Sequence, residues 1–330
     1  MNELVFLSWT NSDLEFKAVK ECCTTIAAAT SSNELSTLTE TLELKAVGKV
    51  LYMNVTNREY YARVMFDLGM EEDFHATVNA QLFLKLINAT TTEDIEMVAK
   101  NNYIEVKANG TYKLPMIFED DKLIELPEID IDNKTVEMNI SGAILQSILN
   151  FNMKELEKGT IAKPVQKMFY VDNEGCITFT SGACVNSFEL EQPIKVLLNQ
   201  RTVKLFKLFK DDMVKFTLGY DPISDTLIQT KVSFETPKIK LTAITGSDDT
   251  LLASVPVTPI RNRANNNYAY SINFNKQELS DAITRLILFT EGYGSRQTLK
   301  PYGLFSFSTN AVTVYDPSKE NNEPVTYAGS

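Results

Sequence analysis

The chain repeats one pattern of secondary structure: a short strand, one amphipathic helix, and then strands in which apolar and polar residues alternate. This βαβββ pattern occurs five times in 330 residues. Because a single unit leaves one face of its sheet and an edge strand uncovered, neighbouring units are expected to pack together. The repeat predicts an α+β protein with antiparallel sheets. The five predicted helices are Leu14–Ala29, Asn79–Ala89, Ser141–Phe151, Gln200–Lys210 and Asn275–Phe289.

Turn signals between the alternating segments support this interpretation. Asn109-Gly110 separates Tyr103–Ala108 from Thr111–Ile117, and these two residue types tolerate the positive φ angles of a tight hairpin. Asn173-Glu174-Gly175 predicts a second turn between strands. In Lys238–Ile244, aliphatic residues alternate with lysine and threonine, which predicts a strand with one face in solvent.

Two consecutive units form a domain of about 120 residues, so the pattern predicts three domains. We expect the first domain to span residues 1–128 and the second to span residues 129–246, with the acidic segment Glu125–Asn133 as the connector. Residues 247–330 then hold a linker and only the first half of a third domain. We expect this half-domain to pack on the second domain, to pair with another chain or to be partly disordered.

The charge of the chain is unevenly distributed. The net charge is −11, from 32 basic and 43 acidic residues, which by itself argues against a nucleic-acid binder. The five predicted helices nevertheless carry nine basic and four acidic residues, a net +5, which leaves −16 for the rest. We interpret this as a phosphate-facing helix surface, although lysine on a helix is often only solvated. The candidate DNA-binding residues are Lys17, Lys20, Lys85, Arg201, Lys204, Lys207, Lys210, Lys276 and Arg285.

Catalytic and metal-binding signatures are absent from the sequence. There is no nucleophile elbow, P-loop, dinucleotide fingerprint or zinc-protease motif, and His75 is the only histidine. The four cysteines have neither metal-site nor disulfide-framework spacing, so we expect reduced thiols, no cofactor and no metal. The N-terminus lacks a basic n-region, and no apolar stretch approaches the length of a membrane span. A cytoplasmic, non-enzymatic protein without a membrane partner is expected.

Three segments resemble the bacterial-type DNA polymerase III beta sliding clamp family. The resemblance covers nearly the whole chain in unit order, although no short motif is diagnostic alone. It implies a head-to-tail homodimeric ring of three-domain subunits, with antiparallel sheets outside and helices lining a central hole. The implied function is to encircle double-stranded DNA without sequence specificity as a polymerase processivity factor, loaded by a clamp loader. The segments are ATVNAQLFLKLINATTTEDIEMVAKNNYIEVKANGTYKLPMIF, ITFTSGACVNSFELEQPIKVLLNQRTVKLFKLF and YSINFNKQELSDAITRLILFTEGYG.

The resemblance also implies sites. The subunit interface falls on Tyr112 and Leu114 of one subunit and on Leu288 and Phe289 of the next, although all four also suit a core. A cleft for short partner peptides is implied between the second and third domains. Its residues are Thr180, Gly182, Val185, Val255, Pro256, Val257 and Tyr293.

The chain also departs from the family. The family's Gly-His-Arg-Leu-like run here reads Gly182-Ala183-Cys184-Val185, the basic loop after the first helix falls on the uncharged Thr30–Asn33, and the strand that completes the cleft would lie beyond Ser330. A clamp-fold scaffold without ring closure, binding replication or transcription partners, is therefore an alternative, as is an incomplete chain. Richness in asparagine, lysine, threonine and isoleucine favours a bacteriophage version.

Overall fold

A computed structural model describes most of the chain. The described residues form two compact units, residues 1–261 and residues 262–330. The described ranges are 4–10, 20–21, 23–26, 37–48, 50–57, 59–67, 73–92, 94–158, 163–180, 182–210, 212–224, 227–268, 272–289 and 303–329.

The first unit is rich in strands. Its described strands are β1 (Leu4–Thr10), β2 (Thr41–Val47), β3 (Val50–Thr56), β4 (Tyr60–Asp67), β5 (Phe74–Asn79), β6 (Asp94–Ala99), β7 (Tyr103–Lys107), β8 (Thr111–Pro115), β9 (Phe118–Glu119), β10 (Lys122–Leu123), β11 (Asn133–Ser141), β12 (Met168–Asp172), β13 (Gly175–Phe179), β14 (Ala183–Ser187), β15 (Lys195–Asn199), β16 (Met213–Ser224), β17 (Leu227–Thr236) and β18 (Ile239–Ile244).

Short helices connect these strands. They are α1 (Thr37–Glu40), α2 (Ala80–Ala89), α3 (Gly142–Ser147), α4 (Met153–Lys158), α5 (Gln200–Lys204) and α6 (Asp249–Ala253), and α7 (Val257–Ala264) crosses into the second unit. A π-helical segment, Ile148–Asn152, joins α3 to α4, and 3₁₀ segments occupy Pro164–Lys167 and Leu205–Leu208. Residues 20–21 and 23–26 are helical, and the rest of the predicted helix Leu14–Ala29 lies outside the described residues.

The repeats interlock by exchanging their first strands. β1 pairs with β6 of the following repeat to give the N-terminal sheet, β1-β6-β7-β8, while β5 pairs back with β2. In the same way β11 pairs with β16, and β15 pairs with β12 to give the middle sheet, β14-β13-β12-β15. The N-terminal and middle sheets therefore both contain strands from two consecutive repeats, because the first strand of one repeat completes the sheet of the other.

One long sheet runs through the first unit, in the order β11-β16-β17-β18-β4-β3-β2-β5. Its centre is the antiparallel pairing of β18 with β4, in which Leu241 lies opposite Ala62. The connector after β10 crosses the side of this long sheet that points away from the main core. Its Glu128 forms ion pairs with Arg63 and Lys240. The predicted solvent-exposed face of β18 is thus partly covered, since Thr242 is buried.

Three helices of the first unit start directly at the end of a strand. Asn79, Ser141 and Asn199 are the last residues of β5, β11 and β15, and each side chain accepts a hydrogen bond from a backbone N–H of the helix that follows. Such N-caps satisfy donors that have no intrahelical partner. The predicted helix starts at Asn79, Ser141 and Gln200 are confirmed to within one residue.

The second unit is a single repeat. It contains β19 (Ile272–Phe274), α8 (Lys276–Ile287), β20 (Leu304–Phe307), β21 (Ala311–Tyr315) and β22 (Asn322–Gly329). Its sheet, called the C-terminal sheet, has the order β19-β22-β21-β20, so β19 pairs within its own repeat and not with a second one. The buried core there is small and consists of Ala282, Val312 and Val325, with partly buried side chains around it.

Candidate nucleic-acid interface

Four helical segments of the first unit are linked one to the next on the core side of its sheets; we call them the helix row. Asn88 of α2 hydrogen-bonds Thr24 of the helical residues 20–21 and 23–26. Glu21 of that segment pairs with Lys210, which follows the 3₁₀ segment after α5, at 2.6 Å. The amide of Gln146 on α3 donates to the carbonyl of Phe206 in that 3₁₀ segment, at 2.6 Å.

The helix row has an apolar side and a basic side. In α2, Phe83 and Leu84 are buried in the main core while Lys85 is exposed. The same division holds after β15, where Leu205 and Phe206 are buried and neighbouring cations are exposed. Those exposed cations are Lys204, Lys207 and Lys210. A half-buried cation lies at the start of α5, where Arg201 is 3.9 Å from Glu59.

The remaining candidate cations differ in their surroundings. Lys20 donates to the backbone carbonyl of Thr90, so it also stabilises the helix row itself. In the second unit, Lys276 is exposed at the start of α8, and Arg285 pairs with Glu323, with 3.0 Å between Nε and Oε2. That hydrogen bond raises the pKa of Arg285. Lys17 lies outside the described residues.

The structure adds two cations that the helix-based prediction missed. An open groove of about 710 Å³ beside α5 is lined by Lys163, Lys167, Arg201 and the single carboxylate Glu59, together with polar and apolar side chains. Lys163 and Lys167 are exposed at the two ends of the 3₁₀ segment Pro164–Lys167 and its cap. Because both lysines lie outside the five predicted helices, periodicity does not indicate their position beside Arg201.

The predicted interface residues have unequal exposure. On the edge strand β8, Tyr112 is 41% exposed, whereas Leu114 is 3% exposed and packs in the main core. At the end of α8, Leu288 and Phe289 are 69% and 50% exposed. The sequence did not indicate the exposed aromatic side chains Phe305 and Phe307 of β20, which is the edge strand of the C-terminal sheet.

The residues of the predicted peptide cleft form two groups. Val185, Val255 and Val257 belong to one cluster on the face of the middle sheet that points away from the main core. We call this surface the outer face; it also holds Val165, Tyr170, Ile177 and Leu197. Pro256, half-buried between α6 and α7, accepts a hydrogen bond from the N–H of Ile260.

The second group is bound to a carboxylate of α4. Thr180 donates from its hydroxyl to Glu155 Oε1 at 2.6 Å, and the N–H of Gly182 donates to the same oxygen at 3.3 Å. These two residues are therefore held by their own chain in this structure. Tyr293 lies outside the described residues.

His75 and Glu43, two ionisable groups on neighbouring strands, are partners of each other. His75 lies 2.8 Å from Glu43, which also accepts a hydrogen bond from Asn54 at 2.7 Å. Burial raises the pKa of Glu43, but the hydrogen bonds from His75 and Asn54 outweigh it and the pKa is lowered. Burial raises the pKa of the Cys176 thiol well above its usual value. Among the described residues, no group of three potential metal ligands comes together, and no helix is long and apolar enough to span a membrane.

Comparison with known proteins gives a consistent answer on the fold. No protein-family model matches the chain, and no curated protein matches it in sequence. Solved structures do match along its whole length. A Pseudomonas aeruginosa sliding clamp (DNA polymerase III subunit beta) bound to griselimycin matches with a TM-score of 0.66 and 14% identity, over 98% of this chain and 85% of that chain.

Two further matches cover the whole chain. The DNA polymerase III beta subunit of Thermotoga maritima matches with a TM-score of 0.69 and 11% identity, over 100% of this chain and 85% of the other. The Helicobacter pylori beta clamp bound to a DNA ligase peptide matches with a TM-score of 0.60 and 14% identity, over 100% of this chain and 88% of the other. This chain therefore has the fold of the DNA polymerase III beta sliding clamps.

Proposed function

We propose that the protein is a non-catalytic DNA sliding clamp that encircles duplex DNA and tethers a replicative polymerase to it as a processivity factor. The observation that carries this proposal is the basic side of the helix row, where Lys85, Lys204 and Lys207 are exposed. Point charges on helices bind phosphates of any sequence. The acidic remainder of the chain repels DNA elsewhere, which favours binding of the duplex at the helix row and the basic groove beside it.

The proposed ring is a head-to-tail homodimer. Both β8 and β20 are edge strands, and an edge strand offers unpaired N–H and C=O groups to a second strand. Exposed apolar side chains accompany each edge: Tyr112 at β8, and Phe305 and Phe307 at β20. Leu288 and Phe289 add to the apolar surface of the second unit. Pairing the two edges between subunits buries this surface and closes the ring.

The proposed partners are a DNA polymerase and a clamp loader, which bind by short peptides. The Helicobacter pylori clamp structure contains a DNA ligase peptide, which supports peptide binding as a mode for this fold. In this chain the outer face is the proposed docking surface; Val185 lies on its sheet, whereas Val255 and Val257 belong to the segment that packs over it. We place the protein in the cytoplasm, or in the host cytoplasm or nucleoid if it is a bacteriophage version.

A second candidate function is a clamp-fold scaffold that does not close into a ring. It is favoured by the C-terminal sheet, in which β19 pairs with β22 of its own repeat, whereas β1, β5, β11 and β15 all pair with another repeat. The two candidates differ in whether the protein is held on DNA by encirclement.

Charge reversal tests whether the basic side of the helix row is the proposed DNA lining. Lys204→Glu with Lys207→Glu should lower affinity for a labelled duplex and reduce the slope of log K against log salt by about 2, since each phosphate contact contributes about 0.9. The matched control is Lys122→Glu with Lys238→Glu, the same charge change at exposed lysines of hairpin segments. Equal binding by the lining variant and wild type, or equal losses in both variants, would contradict the proposed lining.

A further inference from the structure

The outer face is already occupied by the chain's own helix. Val257 and Ile260 of α7 pack against the cluster formed by Tyr170, Leu197 and Val255. At the rim of this cluster, Arg261 extends to the turn between β12 and β13. There Nη2 lies 2.6 Å from Asp172 Oδ1, and Nη1 lies 2.8 Å from Glu174 Oε2. One guanidinium therefore binds two carboxylates and fastens α7 to the sheet.

The cover is lightly held compared with the surface beneath it. No residue described in α6 or α7 is fully buried, and Thr258 and Pro259 are exposed. Beneath them, Ile177 is 1% exposed and Leu197 is fully buried. A segment with few buried side chains opens at low free energy, while the sheet below stays folded. Opening α7 would uncover an apolar face bordered by two carboxylates.

Asp172, one of the two carboxylates at the edge of this apolar face, is held rigidly. It is buried, and it also accepts a hydrogen bond from the N–H of Glu174 at 2.9 Å, which holds the turn in place. Burial, and then the charge of Asp172, raises the pKa of Tyr170 to about 12, so that side chain remains neutral below the face. Because a buried carboxylate needs a cationic partner, any occupant that replaces Arg261 has to supply one.

We propose that α7 is a built-in cover of the outer face, fastened by Arg261, and that the partner it gives way to is a short peptide with aliphatic side chains and one basic residue. This proposal rests on the proposed partner-binding function of the outer face and adds its regulation. The aliphatic side chains take the places of Val257 and Ile260, and the basic residue takes the place of Arg261 between Asp172 and Glu174. Binding strength is thus set by a competition between the peptide and α7.

The test uses the full-length protein and a fluorescein-labelled peptide of residues 249–264 of this chain as the probe. Arg261→Gln should raise hydrogen exchange of the α7 amides and tighten peptide binding by about tenfold, which is about 1.4 kcal/mol. Arg263→Gln, on the same helix and exposed, removes the same charge and should behave as wild type. The same peptide carrying Arg261→Gln should lose the gained affinity.

Each alternative result overturns a stated part of the proposal. Unchanged exchange in Arg261→Gln would show that the ion pair does not fasten α7. Equal peptide affinity for wild type and Arg261→Gln would show that α7 does not compete with the peptide, and no binding to either protein would show that the outer face does not accept it. If Arg261→Gln does not fold, Glu174→Gln removes the more exposed carboxylate and should raise hydrogen exchange of the α7 amides without tightening peptide binding, because the peptide and α7 lose the same ion pair; unchanged exchange in this variant would overturn the fastening by Arg261. None of these measurements involves DNA or ring closure, so they fail or succeed independently of the clamp function.

Discussion

The proposed subunit interface predicts a large effect of truncating the end of α8. Leu288 and Phe289 are 69% and 50% exposed, and fully burying such a side chain contributes about 1.5 to 3 kcal/mol. Scaling about 2 kcal/mol for each side chain by its exposed fraction gives about 2 kcal/mol for the pair at one interface. A head-to-tail dimer contains the interface twice, so Leu288→Ala with Phe289→Ala should weaken dimerisation by about 4 kcal/mol, or about a thousandfold.

Sedimentation velocity over a dilution series measures this change directly. The matched control is Tyr220→Ala with Ile228→Ala, which removes apolar side chains that are 43% and 68% exposed on the hairpin of β16 and β17. The control should dimerise as wild type, because this hairpin has no place in the proposed interface. A wild-type dimer that tolerates truncation of Leu288 and Phe289, or equal losses in both variants, would refute the proposed interface.

Three further changes test other parts of the structure. Lys163→Glu with Lys167→Glu should weaken duplex binding in a salt titration while dimerisation is unchanged, because both line the groove beside α5. Burial raises the pKa of Asp221, but hydrogen bonds from Lys231 and two backbone N–H groups outweigh burial, so the pKa is lower than that of an ordinary aspartate. Its stabilisation is therefore present above about pH 4 and lost at lower pH, and Asp221→Asn should cost about 2 kcal/mol at pH 7 and flatten the acid side in urea unfolding. Gly142→Ala would put Cβ 2.0 Å from a backbone carbonyl oxygen, so thermal unfolding should show a loss of about 2 kcal/mol or more.

Local chemistry explains why much of the fold is predictable. Strand alternation followed at once by a capping residue predicts a helix start, and Asn79, Ser141 and Asn199 all act in this way. The hairpin predicted at Asn109-Gly110 is also confirmed, since Lys107 pairs with Thr111 across it, but neither turn residue has the positive φ angle that was expected. These features depend on neighbours in sequence, which periodicity and turn chemistry describe.

Elements without a local signal were missed. β22 contains Pro324 and lacks regular alternation, so its pairing with β21 and β19 becomes visible only in the sheet. The predicted linker after residue 246 was wrong in one respect, because α6 and α7 form there. Pro259 is compatible with α7 because it lies in the first turn, where the missing N–H has no intrahelical acceptor.

In the candidate site too, the residues that follow from local sequence patterns were predicted, and those brought together by tertiary packing were not. Exposed lysines on the helix row follow from the helical spacing of lysine and phenylalanine in residues 200–210. The groove of Lys163, Lys167 and Arg201, and the contact of Arg261 with Asp172, join residues that are distant in sequence or lie outside the repeats. Side chains that meet only through tertiary packing leave no periodic pattern, so the sequence alone did not indicate them.

Encirclement of DNA is the central claim, and retention on circular DNA tests it most directly. Subunits are diluted to dissociate them, mixed with nicked circular duplex, concentrated so that rings close, and passed through a sizing column at high salt. The clamp function predicts that protein stays with the circle and is released when a restriction enzyme linearises it, because a closed ring slides off free ends. Equal retention on circular and linear DNA, or no retention on either, would contradict encirclement and favour a clamp-fold scaffold.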